Sequence, residues 1–212
     1  MKDIIGMLAS FEKEIDSNDS IVKEKFEIIR TPADASLVKV QRDLNMIEPT
    51  VLDFYETANG LAVKWKAKDP KMLANEMMGS VKINSFINVV KDWSGVVFFG
   101  SEPDDSPLLE FFPLDFFADE ATVGFCTQEG WRNSLYLYRF DNELVSLQVT
   151  FHSYLQLLIK AKGTFYWQYL ILEIIQKKEN EVSKRIKKYL SQLFPDFSFA
   201  AFEKLFNQLQ IK

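Results

Sequence analysis

The sequence has 212 residues, of which 47% are hydrophobic, and a formal net charge of −5. Such a chain can bury a substantial core, and it lacks the positive charge with which nucleic-acid-binding proteins contact phosphates. Its one cysteine excludes an intrachain disulfide. The sequence has no run of about 18 apolar residues, so no membrane span is predicted. We therefore expect a cytoplasmic protein of one domain, without a nucleic acid or a membrane as direct partner.

The first part of the chain predicts helices. Apolar residues at helical spacing indicate a helix over residues 3–16. Residues 21–30 fit a helix or a strand, and the spacing of their apolar side chains slightly favours a helix. Thr31 and Pro32 then have the features of a helix start, because threonine can cap and proline suits the first turn.

The stretch from Glu48 to Trp65 contains a helix start, a helix end and the beginning of a strand. Thr50 is predicted as the N-cap, because its hydroxyl can accept a backbone N–H of the first turn. Asn59 and Gly60 tolerate the left-handed conformation that ends a helix. The alternation of apolar and polar residues that follows predicts a strand.

A central block of short strands follows. Residues 111–117 fit a strand edge or a turn, because Pro113 interrupts them, and Asp141 with Asn142 predicts a hairpin turn. Most connections have the length of hairpins, so we expect mainly antiparallel pairing. The apolar runs predict strands over residues 79–86, 96–99, 121–126, 135–140 and 144–149.

From Thr150 onward the spacing of apolar residues is helical again. Thr150 and Ser198 are suitable N-caps, and Gly163 is a suitable helix end. Four helices are predicted, over residues 150–163, 165–178, 179–193 and 198–209.

The residue types offer little for catalysis. His152 is the only histidine, so a metal site with two histidines is excluded, and a hydrolase triad would have to use this residue. A surface or capping role is favoured, because no nucleophile partner is evident. Cys126 lies in a predicted strand, which favours core packing over a reactive thiol. No glycine-rich phosphate loop is found, and we expect no enzyme, no cofactor and no metal site.

Charge is distributed unevenly along the chain. Between Gly100 and Val145 ten acidic residues stand against two arginines, a net charge of −8. A solvated loop and a protein-binding surface both fit this acidic block. The basic segment between Lys177 and Lys188 fits a solvated helix face, with contact to an anionic surface or partner as the alternative. Residues predicted to contact a partner are Glu102, Asp104, Asp105, Asp119 and Glu120.

The sequence LDFYETANGLAVKW, at residues 52–65, resembles the SUKH superfamily. That superfamily includes the yeast cell-wall-assembly regulator and many bacterial immunity proteins of contact-dependent toxin systems. Its hallmark is a helix that ends in an aromatic residue, three further residues and Asn-Gly, followed by an apolar strand, often with a tryptophan. The resemblance covers about residues 30–175, and the residues that match the motif are Phe54, Tyr55, Asn59, Gly60, Leu61 and Trp65.

The resemblance implies an α+β fold in which a mostly antiparallel central sheet of several short strands is backed by helices. A SUKH-like domain would cover residues 1–178, and residues 179–212 would be a helical extension packed on it. The implied function is that of an immunity protein, which neutralises a cognate toxin, often a nuclease, by direct contact. A nuclease surface that holds phosphates is basic, so the acidic block would be complementary to it. The alternative is a regulatory or scaffold module without a toxin partner.

Overall fold

The computed structural model describes residues 2–44, 46–132, 134–141 and 143–211, with the backbone alone for Lys2 and Asp3. Within these residues a seven-stranded antiparallel sheet is backed by helices, which confirms the predicted α+β fold class. The strands follow one another in the sheet in the order of the sequence. Each strand therefore pairs with the next strand along the chain, as is common for consecutive strands.

The strands predicted near residues 61, 79, 121, 135 and 144 are all present, with small differences at their ends. No helix of the described residues has both the length and the apolar character needed to cross a membrane. The strands are β1 (Ile21–Ile28), β2 (Leu61–Ala67), β3 (Met78–Ile83), β4 (Phe111–Ala118), β5 (Ala121–Cys126), β6 (Leu135–Tyr138) and β7 (Leu144–Ser146). The helices are α1 (Lys2–Ser17), α2 (Ala35–Leu44), α3 (Pro49–Tyr55), α4 (Pro70–Leu73), α5 (Phe86–Val89), α6 (Phe151–Lys160), α7 (Gln168–Gln176), α8 (Glu181–Leu193) and α9 (Phe199–Leu209), and a 3-10 helix, Pro107–Glu110, precedes β4.

The chain forms two compact units. Unit 1 comprises Met1–Glu27, Ala62–Val81 and His152–Gln210, and unit 2 comprises Ile28–Leu61, Lys82–Phe151 and Ile211–Lys212. Helices α8 and α9 thus belong to the same unit as α1. The domain boundary expected at residue 178 stays a prediction.

The interior of unit 1 is built around the indole of Trp65, which is 1% exposed. Its ring N–H donates to the carbonyl oxygen of Lys162 at 2.8 Å. Gly79 lies directly against the ring, since a Cβ atom there would be 2.1 Å from the indole nitrogen. Only glycine permits so close an approach of backbone and ring.

A buried ammonium group joins three segments of unit 1. The side chain of Lys162 is 4% exposed, and its Nζ lies 2.5 Å from Glu14 Oε1 and 2.6 Å from Asp196 Oδ2. The carboxylates come from α1 and from the turn after α8, and Lys162 itself follows α6 in a left-handed conformation with φ of 58°. A charge can be buried where it is paired in this way.

Strands β4 to β7 form the antiparallel ladder of unit 2. In the β4–β5 hairpin Phe111 lies opposite Cys126, and Ala118 lies opposite Ala121 next to the turn. A cluster of large side chains packs on this ladder and extends to residues that precede β4. Its buried members are Trp93, Val97, Leu108, Phe111, Cys126, Tyr136 and Tyr138.

The helix favoured for residues 21–30 is wrong, because β1 occupies that part of the chain. Val22, which helical spacing would bury, is 39% exposed. The residue after the strand, Ile29, donates its backbone N–H to the carbonyl oxygen of Gly60 at 3.1 Å. Pairing with β2, which is distant in sequence, overrides a weak local preference.

Helix α2 begins at Ala35, later than the start predicted at Thr31 and Pro32. The Asp34 carboxylate caps it, since Oδ1 accepts the N–H of the second helical residue at 2.8 Å. The preceding residue, Ala33, donates its N–H to a carbonyl oxygen of α3 at 2.9 Å. This tertiary bond holds the chain outside the helix up to Asp34.

Glu48, and not Thr50, caps α3. The Glu48 carboxylate accepts the backbone N–H of Thr50 at 3.0 Å and its hydroxyl at 2.6 Å. It also accepts the first N–H of α6 at 3.2 Å, so a tertiary contact fixes its position. The helix ends at Tyr55, ahead of the end predicted at Asn59 and Gly60.

In the central block, the strand predicted over residues 96–99 and the interruption predicted at Pro113 are wrong, whereas β4 confirms the strand alternative for residues 111–117. Residues 96–99 form no strand but belong to an irregular loop. Pro113 does not interrupt β4, because the ladder to β5 shifts its register on both sides of Asp115. Such a bulge accommodates a proline inside a sheet. The second residue of the predicted hairpin turn, Asn142, lies outside the described residues.

We expect Lys162→Met to lower the free energy of unfolding by about 1–3 kcal/mol, because it leaves two carboxylates without their shared cation. Partial burial works against the ionisation of Asp196, but the hydrogen bond and charge of Lys162 outweigh it and hold the pKa of Asp196 below 3.8. This stabilisation is present above pH 3.8 and is lost as the pH falls through the lowered pKa. Urea unfolding between pH 2 and 7 measures both effects.

The matched control is Lys64→Met on β2, where the lysine is exposed. We expect it to change the free energy of unfolding by less than about 0.5 kcal/mol. Equal destabilisation by the two variants would contradict the role assigned to Lys162, as would a wild-type acid transition no steeper than that of Lys162→Met.

Candidate functional site

The loop of residues 96–106 in unit 2 presents a large aromatic side chain to solvent. Phe99 is 69% exposed and Val96 is 42% exposed. Aromatic rings with this much exposure are uncommon, because burying their large apolar area would stabilise the fold. We call this segment the 96–106 loop, and its exposed ring makes it a candidate contact surface.

Buried side chains hold the two ends of the 96–106 loop on unit 2. Val97 is 1% exposed, and its carbonyl oxygen accepts the hydroxyl proton of Tyr138 at 3.1 Å. Leu108, in the 3-10 helix that follows, is 2% exposed. Both belong to the cluster packed on β4, β5 and β6. The loop is thus anchored at residues that flank the exposed Phe99, so this ring is displayed from a fixed base.

Glu102 folds back on the loop. Its carboxylate accepts the backbone N–H of Phe99 at 3.0 and 3.1 Å and that of Gly100 at 2.8 Å. These hydrogen bonds, first of all the one from Phe99, lower the pKa of Glu102 below 4.5. Gly100 takes a φ of 80°, which a side chain would disfavour. Glu102 therefore positions the exposed ring.

Asp104 and Asp105 lie farther along the same loop and are exposed. Among the described residues no ion pair is found for either carboxylate. The backbone carbonyl of Asp105 accepts the side-chain amide of Gln128 at 3.1 Å, which places Asp105 beside the end of β5. A groove of about 430 Å³ runs along this part of the loop, with Ser101, Pro103 and Leu108 among its lining residues.

The five predicted acidic residues do not form one patch. Asp119 and Glu120 are exposed in the tight turn of the β4–β5 hairpin, beyond the pair of Ala118 and Ala121. Asp105 lies at the opposite end of that hairpin. A strand of eight residues separates the two ends by about 23 Å. Glu102, Asp104 and Asp105 therefore make one acidic group, and Asp119 and Glu120 make another.

The residues of the motif are buried, except for Asn59, which is half-buried. The Tyr55 hydroxyl donates to the carbonyl oxygen of Asn84 at 2.7 Å, and burial, followed by the charge of Asp115, raises its pKa. The Asn59 side chain accepts the first N–H of α5 at 2.7 Å. Gly60 has a φ of 135°, and a Cβ atom there would lie 3.0 Å from a carbonyl oxygen of β3. Trp65 has a comparable role in the interior of unit 1. Each of these residues thus makes a contact that contributes to packing.

Cys126 and His152 are placed as follows. Cys126 is buried, with its sulfur 3.6 Å from the carbonyl oxygen of Pro107, and burial together with the charge of Glu110 raises the pKa of its thiol to about 12. A thiol with this pKa is protonated and unreactive near neutral pH.

His152 is half-buried in the first turn of α6. The described residues contain no group of three or more histidine, cysteine or acidic side chains that could hold a metal ion.

Phe99 is the residue that the sequence-based prediction missed. It ends an apolar run and precedes a glycine, a pattern that is typical of a short buried strand. The acidic residues that follow directed the prediction to this loop, but they did not indicate that the Phe99 ring is exposed. Its exposure depends on how Val97 is anchored, and no local signal reports this.

Comparisons with known proteins do not add to this description. No family model, no curated protein and no solved structure matches the chain.

We expect Glu102→Gln to loosen the 96–106 loop, because a neutral amide is a weaker acceptor for the two backbone N–H groups. Amide hydrogen exchange, followed by NMR, should be faster at Phe99 and Gly100 in this variant. In the wild type the carboxylate bonds are present above pH 4.5 and are lost as the pH falls through the lowered pKa of Glu102. The protection of the two amides should fall with them.

Asp104→Asn is the matched control, since it removes one charge from the same loop without touching these bonds. Its exchange rates at the two amides should equal those of the wild type. Unchanged exchange in Glu102→Gln would show that the carboxylate does not hold the loop.

Proposed function

We propose that this protein acts by binding another protein through the 96–106 loop. The observation that carries the proposal is the 69% exposure of the Phe99 ring on a loop whose flanking residue Val97 is buried. Protein interfaces are enriched in aromatic residues that insert into a pocket of the partner. A ring already held in place loses little conformational entropy when it binds.

The partner we propose has a basic surface. Asp104 and Asp105 lie in the same loop as Phe99, with carboxylates that are exposed to solvent. Carboxylates at the rim of an interface attract a basic partner during encounter and raise the association rate. Glu102 contributes mainly by keeping the loop in shape, because its carboxylate is already used by two backbone N–H groups.

The kind of partner follows from the resemblance of residues 52–65 to the SUKH superfamily. We propose an immunity protein that neutralises a cognate toxin in the cytoplasm by direct contact, with a nuclease as the toxin that best fits an acidic contact surface. The motif itself contributes to packing, so it supports the family and not the site. A regulatory or scaffold module that binds a cellular protein is the alternative.

The first test is to look for a toxin gene beside this one and, where it is present, to express its toxin domain with and without this protein. We expect co-expression to restore growth. We also expect Phe99→Ala to weaken binding by about 2 kcal/mol or more, because truncating an interface anchor removes its buried contact. Isothermal titration calorimetry with the purified toxin domain measures the change.

Leu44→Ala is the control for this variant. Leu44 is 55% exposed on α2, so its truncation also removes exposed apolar surface from unit 2. Neither substitution should change the free energy of unfolding by more than about 0.5 kcal/mol. A larger effect of Leu44→Ala on binding would place the contact surface elsewhere. Absence of a toxin gene from the neighbourhood would favour the regulatory alternative.

The two acidic groups can be told apart by single charge reversals. We expect Asp104→Lys to lower the association rate constant and to make it less sensitive to salt, because it removes attraction at the 96–106 loop. Asp119→Lys makes the same change at the hairpin turn and should leave the association rate nearly unaltered. Stopped-flow association at several salt concentrations measures both rates.

A larger effect of Asp119→Lys would contradict the assignment of the surface to the 96–106 loop. Equal, salt-dependent effects of the two variants would point to attraction by the net charge of the protein alone, without a defined contact at either group.

A further inference from the structure

A basic groove lies along α8 in unit 1, and none of its lining residues is used in the proposed function. It has a volume of about 350 Å³ and is lined by one face of α8 together with Asn75, from the segment that precedes β3. Lys184, Arg185 and Lys188 supply its positive charges, and Tyr189 supplies an aromatic ring. The spacing of three to four residues places the two lysines next to each other on the helix.

The lysines of this groove are poorly neutralised. Lys184 lies 3.9 Å from Glu181, an acidic residue that also lines the groove and whose side chain is 92% exposed, and it interacts more weakly with the charge of Glu179. The ammonium of Lys188 lies 4.8 Å from the centre of the Tyr189 ring, and no ion pair is found for it among the described residues. Like charges four residues apart on a helix repel each other. Both lysines therefore have free donors that face the groove.

Lys187, one residue before Lys188, shows the contrast on the same helix. Its ammonium lies 2.7 Å from Glu173 and 2.5 Å from Glu179. These two carboxylates raise the pKa of Lys187 despite its partial burial, which works in the opposite direction. The helix thus neutralises one lysine with two internal carboxylates and leaves the two lysines of the groove without an equivalent pair.

Arg185 adds a fixed positive charge beneath the groove. Its Nη1 donates to a carboxylate oxygen of Glu76, and its side chain is 21% exposed. The Nε and Nη2 atoms are buried and have no hydrogen-bond partner among the described residues. Arg185 therefore contributes a positive charge that Glu76 offsets in part, and it offers no exposed donor for direct contact with an anion.

We propose that this groove binds a small phosphate-bearing anion. A phosphate group carries up to two negative charges and several acceptor oxygens, which matches two lysine ammoniums and the charge of an arginine between them. A groove of this size accommodates a phosphate or a small phosphate ester, and Tyr189 provides a flat surface for the remainder of an ester. The lysines make the direct contacts and Arg185 acts through its charge.

The test uses the isotope-labelled full-length chain, titrated with sodium phosphate at constant ionic strength and followed by NMR. We expect saturable shifts of the backbone amides of Asn75, Lys184 and Lys188. A parallel titration with glycerol 3-phosphate distinguishes the sources: tighter binding of the ester identifies an ester ligand, and equal or weaker binding identifies free phosphate. Either result supports the proposal.

The variant Lys184→Gln with Lys188→Gln should bind phosphate roughly tenfold more weakly, since each exposed ionic contact contributes a modest amount. Lys204→Gln, which removes an exposed charge from α9, is the control and should bind as the wild type does. Three results would overturn the proposal: shifts that do not saturate, equal shifts with sodium acetate at the same ionic strength, or unchanged binding by the double variant. Because both lysines are exposed, we expect the double variant to remain folded, and a thermal melt verifies this.

Discussion

The structure of unit 1 depends on the ion pairs that the buried Lys162 ammonium forms with Glu14 and Asp196. A charge that is 4% exposed must be paired, and the two carboxylates that pair with it come from α1 and from the turn after α8. The same residue offers its backbone carbonyl to the indole of Trp65. One position thus fixes the end of α6, the turn after α8 and the central ring of the interior. The interior near these contacts leaves no room for a side chain at Gly79 or Gly163. A Cβ atom at either position would lie less than 3.0 Å from a neighbouring atom.

Unit 2 combines an anchored base with an exposed loop. Val97 and Leu108 are buried in the aromatic cluster, whereas Phe99 between them is the most exposed large apolar residue of the described chain. The backbone that carries Phe99 is held by a carboxylate, so the ring does not depend on packing of its own for its position. An aromatic residue displayed in this way buries little of its surface in the fold and is suited to contact with another protein.

Charge is used in three different ways in this protein. The carboxylates of Glu14 and Asp196 neutralise a buried cation, and that of Glu102 shapes a loop. Asp104 and Asp105 remain exposed to solvent. On α8 the charges in question are positive. Lys187 is neutralised by two acidic residues, whereas Lys184 and Lys188 face a groove. The proposed protein contact and the proposed anion site thus involve opposite charges and different units of the chain.

Features that depend on neighbouring residues were determined by the sequence itself. The cap at Ser198, the helical spacing of α1 and α8, the alternation of β2 and the burial of Cys126 follow from residues within a few positions, and the structure confirms them. Tertiary structure decided what depends on distant partners. It made residues 21–28 a strand, through pairing with β2, and it selected Glu48 as a cap by a bond to the start of α6. It also separated the two acidic groups along the β4–β5 hairpin and left Phe99 exposed, because the anchoring of Val97 and the length of β4 are set by the sheet. Local patterns contain no information about such contacts, because their partners lie tens of residues away in the sequence.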